Sequence, residues 1–562
     1  MDTTLKTKLI SGLEKCFLDD SIDAKYALDH DTILKNERYS YQLAIVDDNK
    51  THTWGRIPLL ADVEGPLADY VTLYKVESVP VRFPVYRNNP PEAYDNYLRT
   101  TPGLYPDVLR PYAEYGMFNI LPGDLNALWV EVDTKGEVPA GIYPITIVLK
   151  DAAGNVRSED TFTLEILAAE LPKQKTLYTE WFHTDCLSVY YDVPVFSEKY
   201  WSIVENFMMN AHRNGINLIL TPTFTPTLDT VIGGERPTVQ LVDVTVTNGE
   251  YAFEFSKVGR WVETAHKCGI ENFEIAHFFS QWGAVHTPKV MATVDGVYKR
   301  IFGWETEATG AEYARFLRQF VTEFLAYMKK LGCDHNCYFH ISDEPNVEQL
   351  QSYVAAKDIV RDLLDGYVIM DALSHYEFYA SGALETPIPS NNSIEPFIEN
   401  HVPNLWTYYC CGQHKDVSNR FLSMPSDRNR VIGIQFYKYN IVGFLQWGYN
   451  FYFSQGSSFP INPYEINDGD YFTPAGDCFS VYPGRDGKAI DSLRACVFYD
   501  ALQDQRAMQL AETLAGRDAV MNAIEGDLPA DEKITFSRYP HGIGYIHETR
   551  AKINALIKEN IQ

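Results

Sequence analysis

The chain has 562 residues, too many for one compact core, so two or three domains are expected. Its 48 basic and 75 acidic residues leave a formal charge of −27, a field that repels polyanions and argues against nucleic acid as a partner. Hydrophobic residues at 45% and charged residues at 22% are ordinary for packed domains, so no long disordered segment is expected.

The first 17 residues hold no long apolar stretch, so no signal peptide is expected and the localisation is read as cytoplasmic. No segment approaches a membrane span, so no membrane insertion is expected. The nine cysteines are odd in number and scattered, which fits free thiols in a reducing compartment. Cys333 and Cys337, with His335 between them, have no second ligand pair at matching spacing. Neither a metal nor any other cofactor is therefore expected.

Up to Leu171 the chain runs in short alternating segments punctuated by Gly, Pro, Asn and Asp, such as 72–86, 126–136, 141–155 and 161–167. This predicts an N-terminal antiparallel β-sandwich over 1–172, supplying no catalytic carboxylates, with a linker near 171–175. From Thr176 the period changes. Apolar strands are predicted over 176–183, 216–224, 272–279, 337–342, 367–375, 404–410, 443–450 and 478–484. Amphipathic helices are predicted over 198–215, 310–332, 347–366 and 491–516, and segment 431–440 reads as the end of a helix. Eight βα units predict a (β/α)8 TIM barrel over 173–517, followed by a short helical C-terminal appendage over 518–562.

In such a barrel, chemistry sits at the C-terminal ends of the strands. There the sequence places Glu180, Trp181, His183 and Asp185; then His277, Gln281 and Trp282; then Asp343 and Glu344. Further ends hold Asp371, Ser374 and His375; Trp406, Tyr408 and Tyr409; Gln446, Trp447 and Tyr449; and Asp477. Carboxylates and amides bind hydroxyls and rings cover apolar faces, so the mixture suits a polyol. The candidate substrate-binding residues are His183, Asp185, His277, Gln281, Trp282, Trp406, Tyr408, Tyr409, Gln446, Trp447 and Asp477. Each has a bland reading: a strand-end Trp as rim packing, His183 or His277 as a hydrogen-bonded structural residue. Asp343-Glu344-Pro345 could cap the next helix, but one acid would serve for that.

Asp343 and Glu344 are the candidate catalytic pair. A two-carboxylate retaining glycosidase carries its acids about 5–5.5 Å apart, generally on distant strands. No second lone Glu stands at a late strand end, which favours attack by a group on the substrate itself, a known exception to that rule. Glu180 or Asp477 would be the nucleophile in the ordinary alternative. A carbohydrate-binding protein without turnover is the non-enzymatic alternative.

Segments 180–186, 277–284, 340–345, 406–413, 428–450 and 480–494 resemble glycoside hydrolase family 123, the β-N-acetylgalactosaminidases, and the related family labelled domain of unknown function 4091. His340-Ile341-Ser342-Asp343-Glu344-Pro345 is the most diagnostic stretch. The resemblance implies Glu344 as general acid/base and Asp343 as the residue that holds and polarises a 2-acetamido group, whose oxygen attacks the anomeric carbon. It implies a glycan or glycolipid with terminal β-N-acetylgalactosamine as substrate. A β-N-acetylglucosaminidase stays open, since the two sugars differ at one hydroxyl. Burial and an ionised Asp343 are expected to raise the pKa of Glu344.

Overall fold

The computed structural model describes residues 4–48, 55–88 and 96–561. The N-terminal region is built from two five-stranded sheets. One runs Leu5–Ser11, Arg38–Asp47, Asn126–Asp133, Val71–Val81, Gly103–Pro111, every neighbour antiparallel. The other runs His30–Leu34, Val156–Leu167, Gly141–Asp151, Ile57–Glu64, Phe118–Ile120. Alternate residues of both, among them Leu43, Leu128, Val130, Ile147, Phe162 and Leu164, share one buried core. One pairing departs from the antiparallel expectation: His30–Leu34 lies parallel to Val156–Leu167. These two are far apart in sequence, so no hairpin turn sets their relative direction.

The second region carries eight parallel strands. Five form one sheet in chain order: Leu218–Thr221, Asn272–Ile275, Cys337–Phe339, Val368–Ala372 and Thr386–Ile388. Three form another, with Gly443–Gln446 between Leu177–Glu180 and Trp406–Tyr408. The edges of the two sheets meet on both sides. Asn217 N donates to Tyr178 O at 3.1 Å, and Tyr408 N donates to Pro389 O at 3.1 Å.

One of these eight, and one of the eight predicted, differ from the sequence reading. Thr386–Ile388 is the sixth strand, and its three residues with a central proline gave no apolar run to detect. Segment 478–484 is not a parallel strand: Tyr482–Pro483 pairs antiparallel with Ala489–Ile490. Gly443–Gln446 already has a partner on each edge, so the parallel sheet offers it no place. The predicted sixth and seventh strands are thereby the seventh and eighth.

The helices Glu198–Arg213, Ala311–Leu331 and Leu493–Ala515 lie where the apolar period puts them. Segment 347–366 is α-helical only over Leu350–Asp358. The 431–440 segment contains the helix Ile432–Tyr439. An additional four-stranded sheet of Asp243–Thr247, Glu250–Glu254, Val290–Val294 and Val297–Phe302 was not expected. Its hairpins turn at Asn248-Gly249 and Asp295-Gly296, all four residues with positive φ, which is the two-residue turn signature that would have found it. The tail contains Arg517–Glu525 and Ile543–Asn560. Arg550 from the last helix donates to Asp504 at 2.8 Å and to Glu37 at 2.5 Å, tying the tail to both other regions.

Candidate active site

A cleft opens at the carboxyl ends of the parallel strands, where open α/β sheets and barrels bind ligands. Its wall comprises Trp181, Asp229, Gln281, Trp282, Asp343, Glu344, Ala372, Tyr408, Cys410, Cys411, Leu445, Trp447 and Phe472. All of these lie beyond the N-terminal sheets. Three of them, Asp229, Trp282 and Glu344, have left-handed backbones with φ of 52°, 58° and 44°. Non-glycine residues rarely adopt this region, and such strain clusters at functional sites. Here it is held by hydrogen bonds. Trp282 N donates to Asp343 O at 2.8 Å, and Glu344 N donates to Ala372 O at 2.9 Å. The bend after Cys337–Phe339 thus turns both acids into one space.

The acids differ in surroundings. Asp343 is buried and Glu344 is exposed to the cleft. Burial first, then the charges of Glu344 and Asp229, hold the Asp343 carboxyl well above the usual carboxylate range. The expectation that burial would act on Glu344 is corrected: the buried member of the pair is Asp343. The Tyr408 hydroxyl donates to Glu344 Oε1 at 2.6 Å, and Oε2 has no hydrogen-bond partner among the described residues.

Two tryptophan walls are anchored by buried acids. Trp181 Nε1 donates to Glu274 Oε1 at 2.7 Å, and Trp447 Nε1 donates to Asp477 Oδ2 at 2.9 Å. Asp477 also accepts from Gln446 at 3.2 Å; burial pushes its carboxyl up to about 6, against the pull of Arg420 and Trp447. Glu180 is buried, ion-paired with Arg420 and bonded by Tyr178 and Ser480. Neither Glu180 nor Asp477 reaches the cleft surface.

Of the sequence candidates, Gln281, Trp282, Tyr408 and Trp447 line the cleft with the acid pair. The others lie behind it. Asp185 takes Arg236 bidentately at 2.7 and 2.8 Å. Arg236 also donates to His183 Nδ1 at 3.1 Å, and His183 Nε2 donates to Trp447 O at 2.8 Å. Burial and the Arg236 charge lower the His183 pKa to about 3, so the ring is a neutral brace. Gln446 accepts from Arg420 at 2.6 Å. Trp406 is buried against Gly443, where a Cβ would fall 2.1 Å from the indole, so only glycine fits there. Tyr409 faces the helices, packed on Phe444 with its hydroxyl on Asn429 Oδ1 at 3.0 Å.

His277 lies beneath the cleft, stacked on His340 at 4.2 Å with 19° between the rings. His340 bridges two buried acids, with Nδ1 3.0 Å from Asp371 and Nε2 2.8 Å from Glu274. Burial alone would lower its pKa; the hydrogen bonds to Asp371 and Glu274 override this and push it up to about 10. His277, His340 and Asp371 are close enough to suggest a metal site. Nearly parallel stacked rings cannot both aim an in-plane lone pair at one ion, and both His340 nitrogens already bond carboxylates. Cys333 and Cys337 donate to the carbonyls of Met328 and Cys333, and His335 stacks on Tyr367.

His340→Phe keeps the ring volume but leaves Glu274 and Asp371 without their cation. It should destabilise the fold by about 3–5 kcal/mol in urea unfolding at pH 6. Because the folded pKa is raised from 6.5 to about 10, the stabilisation is fully present below 6.5 and is lost as pH rises through about 10. A variant as stable as the wild type at pH 6 would refute the bridge.

The sequence reading missed Asp229, Cys410, Cys411 and Phe472 on the wall, and Glu274 and Arg236 behind it. Glu274 was visible as an acid inside an apolar strand. The loop residues had no periodic signal.

An aromatic-walled cleft with converging carboxylates at parallel strand ends is a carbohydrate-hydrolase architecture. The family model for the glycoside hydrolase 123 catalytic domain matches residues 181–511, and the chain belongs to that family of glycoside hydrolases. A family 123 glycoside hydrolase from Clostridium perfringens, described in an analysis of glycolipid glycan hydrolysis, aligns over 99% of this chain and 98% of its own. The TM-score is 0.72 at 13% identity, a likeness of fold. A Parabacteroides merdae β-glucuronidase aligns over 90% of this chain and 52% of its own, at 10% identity and a TM-score of 0.30, too weak a likeness to carry an argument. No curated protein matches the chain. Among the described residues no helix is long and apolar enough to cross a membrane.

Proposed function

We propose that this glycosidase releases terminal β-linked N-acetylgalactosamine from glycans or glycolipids by substrate-assisted, retaining hydrolysis. On this reading the N-terminal sheets are a β-sandwich over 1–172, the eight parallel strands close as a (β/α)8 barrel over 173–517, and 518–562 is a helical appendage. The carrying observation is that Asp343 and Glu344 meet in one cleft while Glu180 and Asp477 are engaged elsewhere.

The chemistry follows from that placement. Glu344 donates its proton to the leaving oxygen through the free Oε2. Asp343 accepts the N–H of the 2-acetamido group, and the carbonyl oxygen of that group attacks the anomeric carbon. Holding the nucleophile on the substrate makes the step intramolecular and removes most of its entropic cost. The Asp343 carboxyl is held high in the empty cleft, and the positive charge that develops on the oxazolinium ring favours its ionised form, which in turn stabilises that charge. Glu344 then takes a proton from water as the ring opens. Trp181, Trp282 and Trp447 supply flat apolar faces for the sugar.

A panel of aryl β-glycosides tests the reading. The 2-acetamido galactoside should be cleaved and the 2-hydroxy galactoside should not. Equal rates on both would sink it in favour of a two-carboxylate mechanism.

A further inference from the structure

The cleft holds a third carboxylate that this mechanism does not use. Asp229 sits on the loop after Leu218–Thr221, reaching the cleft from a different strand end than the catalytic pair. Its backbone is tethered on both sides. Asp229 N donates to Gln281 Oε1 at 2.7 Å, and Asp229 O accepts from Ser457 at 2.7 Å. Arg236 holds the preceding carbonyl of Leu228 at 3.3 Å. These bonds maintain the left-handed φ of 52°. The carboxylate itself, by contrast, has no hydrogen-bond partner among the described residues. Gln281 spends its oxygen on the Asp229 backbone, so its amide NH2 is also open to the cleft.

We propose that Asp229 and Gln281 form a polar clamp on neighbouring hydroxyls of the sugar seated against Asp343 and Glu344, and that Asp229 thereby selects the sugar epimer. The clamp rests on the hydrolase reading above. The pieces are complementary: a sugar hydroxyl both donates and accepts, a carboxylate only accepts and an amide NH2 only donates. One hydroxyl can donate to Asp229 while it or its neighbour accepts from Gln281. The aromatic walls read only the apolar faces, which differ little between epimers, so discrimination falls to such edge groups. Burial, opposed by Arg236 and aided by Glu344 and Asp477, pushes the Asp229 carboxyl up to about 7. The ionised form, which gains ground as pH rises through that value, is the acceptor the clamp uses.

The test uses aryl 2-acetamido-β-galactoside and its 3-, 4- and 6-deoxy analogues with wild type, Asp229→Asn and Asp229→Ala. In the wild type, removing the hydroxyl that Asp229 holds should lower kcat/KM by roughly 10- to 100-fold, as expected for a hydrogen bond to a charged group. Asp229→Ala should lose a similar factor on the parent sugar and show almost no further loss on that analogue. Asp229→Asn, whose oxygen still accepts, should lose less. Full deoxy penalties in Asp229→Ala would overturn the clamp while leaving the hydrolase reading intact. A glycosyl ester trapped on Asp229 would overturn both, as would a wild type inactive on every 2-acetamido glycoside.

Discussion

Glu344→Gln should lower turnover on substrates with unactivated leaving groups by on the order of 10²–10⁴-fold, the usual worth of general acid catalysis. The glutamine oxygen can still accept from Tyr408, so the side chain keeps its place and the loss reports the proton. The effect should shrink as the leaving group improves. A dinitrophenyl glycoside departs without a proton, so its glycosylation step should be nearly untouched, while an alkyl glycoside should show the full loss. The measurement is kcat/KM across a leaving-group series for wild type and variant. Parallel lines, with the same loss at every leaving-group pKa, would show that Glu344 is not the acid.

Asp343→Asn should be nearly as damaging, but with a different signature. A neutral amide in that position cannot stabilise the oxazolinium charge, and loss of one such electrostatic partner costs on the order of 10²–10³ in kcat. The loss should be similar for good and poor leaving groups, because the defect lies in the attack. The same step can be probed from the substrate side. Successive fluorination of the N-acetyl group makes its carbonyl oxygen a poorer nucleophile, so the wild-type rate should fall steeply along the series. A thiazoline mimic of the intermediate should bind more tightly than the product sugar. A flat fluorine series would require a nucleophile on the protein. Among the acids described, Asp229 would then be the candidate, since Glu180 is held by Arg420 and Asp477 by Trp447.

The acid pair was legible in the sequence because its signal is local. Two adjacent carboxylates after an apolar strand exceed what a helix cap needs, and the strand itself declares where it ends. Long helices such as Ala311–Leu331 were equally legible, since their apolar period repeats over many turns. The sixth strand was not: three residues around Pro387 contain no period, and their pairing with Val368–Ala372 makes them a strand. Segment 478–484 looked more like a strand than 386–388 does, yet the position it would fill was already occupied. Strand-end position alone also could not separate wall from scaffold. Trp447 faces the cleft and Asp477, distant in sequence, holds it there; Trp406 has the same chemistry but is buried against Gly443. Which way a side chain faces depends on what packs behind it, and those neighbours come from other strands. Asp229 is the clearest case. Nothing around it in the chain marks it, and only Gln281, Ser457 and Arg236, brought in by three other segments, turn its carboxylate toward Asp343 and Glu344. The sequence by itself determined the family, the adjacent acid pair at a strand end and the alternation of strands and helices. The rest of the site was decided by long-range hydrogen bonds and packing, which exist only once the chain has closed on itself.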